Sequence, residues 1–182
     1  DGQGLWAWYS PLYFHRSDDN RMIKPDRAIA PDQPVRDYLF AEDGLMQTST
    51  LVIPRALFAE VGFDASLRCL EDLDLCLRLE EAGARFEMLP APLVIWYDDQ
   101  SEGRLSYTTR PAEVTDWVAR QSDRLTPRAE AGFLARFLAP EIARKEPMRA
   151  LGILRTAVQQ GGLSSKRAVA IMFRGVAPGT YR

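Results

Sequence analysis

Residues 46–88 alternate strand-like and helix-like patterning with almost no spare chain between elements, which restricts this part to a layered α/β arrangement. "MQTSTLVI" (46–53) ends in a β-branched apolar run that suits a buried strand. Pro54 takes the place of a first helical residue, "PRALFAEV" continues as a short helix, and Gly62 is its natural C-terminal stop. "FDASL" leads into "LRCLEDLDLCLRLEEAG", where Leu73, Cys76, Leu77 and Glu80 recur at helical spacing and Gly83 ends the run. "RFEML", a Pro-Ala-Pro turn and "LVIWY" then read as two strands.

Upstream, "GLWAWYSPLYFH" is aromatic, β-favouring and broken by Pro11, so it reads as one or two strands. Trp6, Trp8 and Tyr9 are expected in the core. The polar stretch after it, with Pro25, Pro31 and Pro34, reads as a long loop carrying a short helix near Val35–Phe40. Beyond residue 111 only helical patterns appear: "AEVTDWVARQ", "AEAGFLARFL", "MRALGILRTAVQQ" and "KRAVAIMFRGV", separated at Thr126-Pro127, Ala139-Pro140, Pro147 and Gly161-Gly162. Charge changes at the same place. Through Pro111 there are 11 Lys and Arg against 19 Asp and Glu, a balance of −8; beyond it there are 12 against 6, a balance of +6. The expected organisation is an acidic body over 1–111 and a basic helical extension over 112–182. A basic extension can meet an anionic partner, or the two parts can simply attract each other; the sequence leaves both open.

Several classes of function fall away. No apolar run approaches the roughly 20 residues a membrane-spanning helix needs, and no leader-like segment opens the chain, so the sequence reads as soluble and unprocessed. Cys69 and Cys76 lie seven apart without metal-type spacing, which argues against a zinc site or disulfide framework and fits a reducing cytoplasm. His15 is the only histidine, so a Ser-His-Asp triad or a multi-histidine metal site cannot be assembled from this chain alone; it is expected at a strand edge. The basic residues form no recognisable nucleic-acid motif.

The sharpest chemical feature is the group Glu71, Asp72 and Asp74 at the start of the second helix. Acids in a first helical turn stabilise the helix by roughly 0.3–1 kcal/mol each, which is reason enough for them to be there. Asp74 fits that account, because Arg78 follows four residues later on the same face. Glu71 and Asp72 diverge by about 100° on a helix, so they cannot both serve one atom unless they sit on the incoming loop. A carboxylate at such a junction stays ionised while facing a cleft, which suits removal of a proton from a sugar hydroxyl. Capping and catalysis both remain open on the residues alone.

Taken together, residues 48–97 resemble the second half of the family 2 inverting glycosyltransferases, which adopt the GT-A fold. The resemblance rests on Ser49 and Thr50, Arg55, Gly62-Phe63-Asp64, the pair Glu71-Asp72 and then Arg78, in that order and spacing. It implies an α/β fold, a partial GT-A-like (Rossmann-like) mixed sheet with flanking helices, followed by the all-helical C-terminal extension. It also implies that Asp72 is the general base acting on the acceptor hydroxyl, that Glu71 positions acceptor or base, and that Asp64 and Arg78 give structural support. Trp96, Tyr97, Asp98 and Asp99, at the end of the last strand, correspond to a loop that in relatives contributes to acceptor binding or to the metal site. Aromatic faces suit sugar rings and carboxylates suit sugar hydroxyls, although such a Trp and Tyr also serve as ordinary core.

The family's donor half, ending in an Asp-x-Asp metal motif, has no counterpart here. Asp18-Asp19-Asn20 lacks the apolar strand that should precede such a motif and reads as a solvated turn, so no metal site is assigned to this chain. The resemblance therefore implies Mg²⁺ or Mn²⁺ for a full-length enzyme, with ligands mostly outside this chain, a nucleotide-sugar donor, and a glycan or lipid-linked acceptor. Lys166, Arg167, Arg174 and Arg182, with no acid among them, would allow the last helix to lie on an anionic membrane, placing the protein in the cytoplasm or peripherally at the inner membrane face. The competing reading is a non-catalytic interaction module derived from a transferase that binds a protein partner or membrane. A glycoside hydrolase with two carboxylates is a third.

Overall fold

The structure is a computed structural model, and it describes residues 5–17, 20–97 and 110–176. The chain divides into two compact units: Asp1–Leu39 with Asp43–Tyr107, and Phe40–Glu42 with Thr108–Arg182.

The first unit is mixed α/β. Its strands are β1 (Leu5–Tyr9), β2 (Leu12–Ser17), β3 (Asn20–Lys24), β4 (Leu51–Val52), β5 (Ala84–Met88) and β6 (Val94–Tyr97); its helices are α1 (Val35–Phe40, whose last residue groups with the second unit), α2 (Arg55–Val61) and α3 (Glu71–Glu81). The expected single mixed sheet is instead two three-stranded sheets, ordered β4-β1-β5 and β3-β2-β6. Each combines one parallel and one antiparallel pairing: β1 runs parallel to β5 and antiparallel to β4, β2 parallel to β6 and antiparallel to β3. The division has a local cause. Pro11 lacks an N–H, as do Pro90 and Pro92 on the neighbouring strand pair, so the ladder cannot run through them. Across the gap Tyr9 pairs with Met88 whereas Leu12 pairs with Val94, and Leu89 N–H to the Tyr9 carbonyl (2.8 Å) and Leu93 N–H to the Pro11 carbonyl (3.3 Å) bridge it.

Strand β3 lies within the stretch expected to be loop. "NRMIK" has too little alternation to announce a strand, and it forms one because β2 folds back on it, with a register irregularity between His15 and Ser17. His15 consequently sits on the central strand of its sheet, not at an edge. It is buried, and its Nδ1 accepts from Arg21 Nε at 3.1 Å. The expected buried strand at 46–53 is reduced to a 3₁₀ turn over Thr48–Thr50 and the two residues of β4, with Val52 exposed. Pro54 stands just before α2, not within it, and Gly62 closes that helix at φ 54°.

The core of this unit joins Leu57 of α2, Leu75 and Leu79 of α3 and Ala84 of β5, flanked by Leu51, Ile53, Val61 and Phe86. Burying each leucine stabilises the fold by about 1.5–3 kcal/mol. The inward face of α3 is carried by Asp74, Leu75, Cys76, Leu77 and Leu79, while Leu73 and Glu80, which share the helical spacing of Cys76 and Leu77, are half-buried. Of the three aromatics expected in the core only Tyr9 is there, since strand alternation turns Trp6 and Trp8 to the other face. Cys69 and Cys76 are both buried free thiols.

A buried hydroxyl chain fastens the segment after β3. Ile29 N–H donates to the Tyr9 hydroxyl (2.9 Å), which donates to Tyr38 (3.1 Å), which donates to the Arg27 carbonyl (2.8 Å). Burial raises the pKa of Tyr9 and of Tyr38, and the Tyr9–Tyr38 hydrogen bond adds to the rise at Tyr38. Burial also pushes the Cys76 thiol up, with the Asp72 and Glu80 carboxylates adding to it. In the unfolded chain these groups ionise near pH 8.5–10, whereas the native state keeps their protons. The stability they confer is therefore full below those unfolded values and lost as pH rises beyond them, by about 1.4 kcal/mol per pH unit for each group. Denaturant unfolding followed between pH 8 and 11 is expected to show this fall, and Tyr9→Phe with Tyr38→Phe to make it shallower; a flat profile above pH 9 would contradict the assignment.

The second unit is helical: α4 (Pro111–Arg120), α5 (Pro127–Phe137), α6 (Ala139–Ile142), α7 (Pro147–Gln159) and α8 (Ser165–Val176). Four of the five were expected, and the break at Ala139-Pro140 turns out to be the short α6. Pro111, Pro127 and Pro147 each open a helix, where a missing N–H costs nothing, and Thr126 caps α5 by accepting from Ala129 N–H at 3.0 Å. Phe40, Trp117, Phe133 and Phe137 form its aromatic core, with ring centroids 4.6–5.9 Å apart. Gly132 permits this packing, because a Cβ there would stand 2.2 Å from the Phe40 carbonyl oxygen. No helix among the described residues is long and apolar enough to cross a membrane.

Candidate functional site

The site is built where α3 begins. Leu70 is held at φ 66°, a left-handed conformation that costs a non-glycine residue roughly 1–3 kcal/mol, and its carbonyl accepts the Asp74 N–H at 3.0 Å. The chain thereby turns directly into the helix, and no side chain at the N-cap position itself satisfies the first amides. The three acids of the first turn point to different tasks. Asp74 is buried and paired with Arg78 Nε at 2.7 Å. Arg78 also donates to the carbonyls of Val61 (2.7 Å) and Gly62 (2.8 Å), so it ties α3 to the end of α2. Glu71 is half-buried.

Asp72, also half-buried, accepts a hydrogen bond from the Thr48 hydroxyl through Oδ1. Thr48 starts the 3₁₀ turn, which is held by Gln47 N–H to Thr50 Oγ1 (3.2 Å), Thr50 Oγ1 to the Gln47 carbonyl (2.7 Å) and Ser10 N–H to the Thr50 carbonyl (3.0 Å). The C-terminal end of β1, the Ser/Thr-rich turn and the first turn of α3 are thus linked by hydrogen bonds. Two polar atoms of this frame, Ser10 Oγ and Gln47 Oε1, are buried without a partner among the described residues.

Of the other residues singled out from the sequence, Asp64 accepts from Ser66 N–H at 2.9 Å in the turn after α2, and Arg55 is exposed at the start of that helix. Trp96 and Tyr97 lie on β6 in the other sheet, packed edge-on against Phe14 (4.7 Å) and His15 (5.0 Å), with Trp96 half-buried and Tyr97 exposed. Asp98 and Asp99, like Asp18, Asp19 and Arg182, lie outside the described residues. The structure therefore joins Asp72 to the Ser/Thr-rich turn and places the aromatic pair in a separate sheet. Sequence reasoning did not find Thr48, Ser10 or Gln47. "TST" offers three hydroxyls, and only the path of the turn decides which one meets Asp72.

A concavity of about 710 Å³ opens at the opposite end of α3, away from Asp72. Trp6, Gln33, Arg36, Glu80, Arg85 and Phe86 are among its lining residues. Glu80 fixes its rim by accepting Val35 N–H at 2.7 Å, with Arg36 at 3.6 Å. Nothing in the sequence pattern announced it, because it arises where strand β5 and the 28–36 segment face one another. Among the described residues no group of three or more His, Cys, Asp or Glu converges as a metal ion would require.

The chain is similar to the amylovoran biosynthesis glycosyltransferase AmsB of Erwinia amylovora, with 30% identity over 99 residues. The matched stretch is 53% of this chain and 33% of that protein, so the chain spans about one third of the length of the curated relative it matches. No family model matches the chain, and no solved structure matches it. The likeness relates about half of the chain to a glycosyltransferase.

Proposed function

We propose that this chain is the acceptor-side portion of a family 2, GT-A-type glycosyltransferase that moves a sugar from a nucleotide-sugar to an acceptor hydroxyl with inversion, in the synthesis of a polysaccharide, glycolipid or other glycan. The observation that carries the reading is Asp72 at the head of α3, oriented through Oδ1 by Thr48. The similarity to a glycosyltransferase supports it.

In this proposal the acceptor oxygen attacks the anomeric carbon from the face opposite the diphosphate, and its proton passes to the second carboxylate oxygen, Oδ2, of Asp72. The carbon–oxygen bond to the leaving diphosphate breaks as the new glycosidic bond forms, so configuration inverts. Glu71 would help place the acceptor, and Trp96, Tyr97, Asp98 and Asp99 would bind it. Among the described residues no three His, Cys, Asp or Glu converge as a divalent cation would require; in this reading Mg²⁺ or Mn²⁺ and the nucleotide would be held mostly by residues outside this chain.

Calorimetric titration of the 182-residue chain with UDP, GDP, dTDP and their sugar conjugates, with and without Mn²⁺, tests the division of labour. No binding is expected. Metal-dependent binding would mean that the donor site lies within this chain, and the acceptor-side reading would have to be abandoned.

A further inference from the structure

Helices α7 and α8 carry an outward surface that the proposed transfer chemistry does not use. They pack on each other and on α6, burying Ala150, Leu154 and Ala157 from α7 and Ile171 and Gly175 from α8. Gly175 sets the orientation of α8, since a Cβ there would come within 2.8 Å of the Pro140 carbonyl oxygen and 2.7 Å of the Ala143 Cβ. With that side turned inward, the 100° step of a helix brings Lys166, Val169, Phe173 and Val176 onto one outward stripe. Val169 is 57% exposed, Phe173 63% and Val176 49%; on α7, Met148 is 77% and Leu151 50% exposed. Scattered apolar residues on a surface need no explanation, but five large ones on two adjoining helices form a pattern.

The charge on the same two helices is one-sided. Between them α7 and α8 carry Arg149, Arg155, Lys166, Arg167 and Arg174 and no acid within their bounds, whereas α4, α5 and α6 each contain at least one; Glu146, just before α7, pairs with Arg149 at 2.8 Å, so the acid-free cations are those of α8 and Arg155. Apolar side chains beside cations, with no carboxylate on the helix itself, as on α8, are what a helix needs in order to lie at the boundary between lipid headgroups and acyl chains. We propose that the outward sides of α7 and α8 dock on an anionic lipid bilayer, with Val169, Phe173 and Val176 entering the headgroup boundary and Lys166, Arg167 and Arg174 meeting lipid phosphates. The surface recognises the lipid whether or not the transferase reading holds.

Sedimentation of the full 182-residue chain with vesicles tests this. Binding is expected to vesicles of 70% phosphatidylcholine and 30% phosphatidylglycerol but not to phosphatidylcholine alone, and to weaken as salt screens the cations. Val169→Asp combined with Phe173→Asp should lower partitioning at least ten-fold. Lys166→Gln and Arg167→Gln should each lower it about five-fold, the effect of one cation near an anionic membrane. All four positions are exposed, so circular dichroism should be unchanged; if the double aspartate variant lost helicity, Phe173→Ala would replace it and should still weaken binding. No association with the phosphatidylglycerol vesicles would overturn the proposal. So would association that Phe173 variants leave intact, or equal affinity for soluble heparin, either of which would make this a general polyanion surface.

Discussion

Asp72→Asn, introduced into a transferase that contains this chain, is expected to reduce sugar transfer by about 10²–10⁴-fold while leaving the unfolding midpoint nearly unchanged. Asparagine keeps the size of the side chain and can still accept from Thr48 through its amide oxygen, so the frame of the first turn survives. It cannot take a proton from the acceptor. The loss should appear in kcat, because a base that acts only as the acceptor attacks contributes to the transition state more than to substrate binding. Thr48→Val should give a smaller fall of about ten-fold by freeing the carboxylate to rotate. Near-normal transfer by Asp72→Asn would remove Asp72 from the mechanism and shift weight to the non-catalytic interaction reading.

The second large effect concerns the support beneath that carboxylate. Arg78→Met is expected to destabilise the first unit by about 3–5 kcal/mol, because it strands a buried carboxylate without its partner. It also releases the Val61 and Gly62 carbonyls that Arg78 now satisfies. For a unit of this size the unfolding midpoint should drop by roughly 10 °C or more. Adding Asp74→Leu should recover part of the loss, since removing both charges leaves no buried ion unpaired, whereas the two carbonyls stay unsatisfied. Thermal and urea unfolding of the single and double variants measure this directly. A loss below about 1 kcal/mol for Arg78→Met would show that water replaces the guanidinium without penalty and that the α2–α3 joint rests on the leucine core alone.

The contrast between Asp72 and Asp74 shows how far the candidate site was legible. Their spacing to Thr48 and Arg78 differs in kind. Arg78 is four residues from Asp74 on one helix, so the pair follows from helix geometry and can be read from the chain. Thr48 is 24 residues from Asp72, and nothing local says that a 3₁₀ turn will deliver its hydroxyl there. The same difference separates the helices from the sheets. Helix starts at Pro111, Pro127 and Pro147 and the stop at Gly62 follow from missing N–H groups and permitted φ values, which are properties of single residues.

Sequence by itself therefore determined most of the helices and strands and their order, without β3, the 3₁₀ turn at Thr48–Thr50 or α6, together with the acidic first turn of α3 and the cationic, acid-free character of α7 and α8. Each of these depends on interactions within a few residues. Tertiary structure decided the pairing of β3 with β2, the division into two small sheets at the proline breaks, the outward turn of Trp6, the hydroxyl chain from Ile29 through Tyr9 and Tyr38 to Arg27, and the meeting of Thr48 with Asp72. These are contacts between distant parts of the chain, and their free energy depends on which surfaces are brought together when the core around Leu57, Leu75 and Leu79 closes.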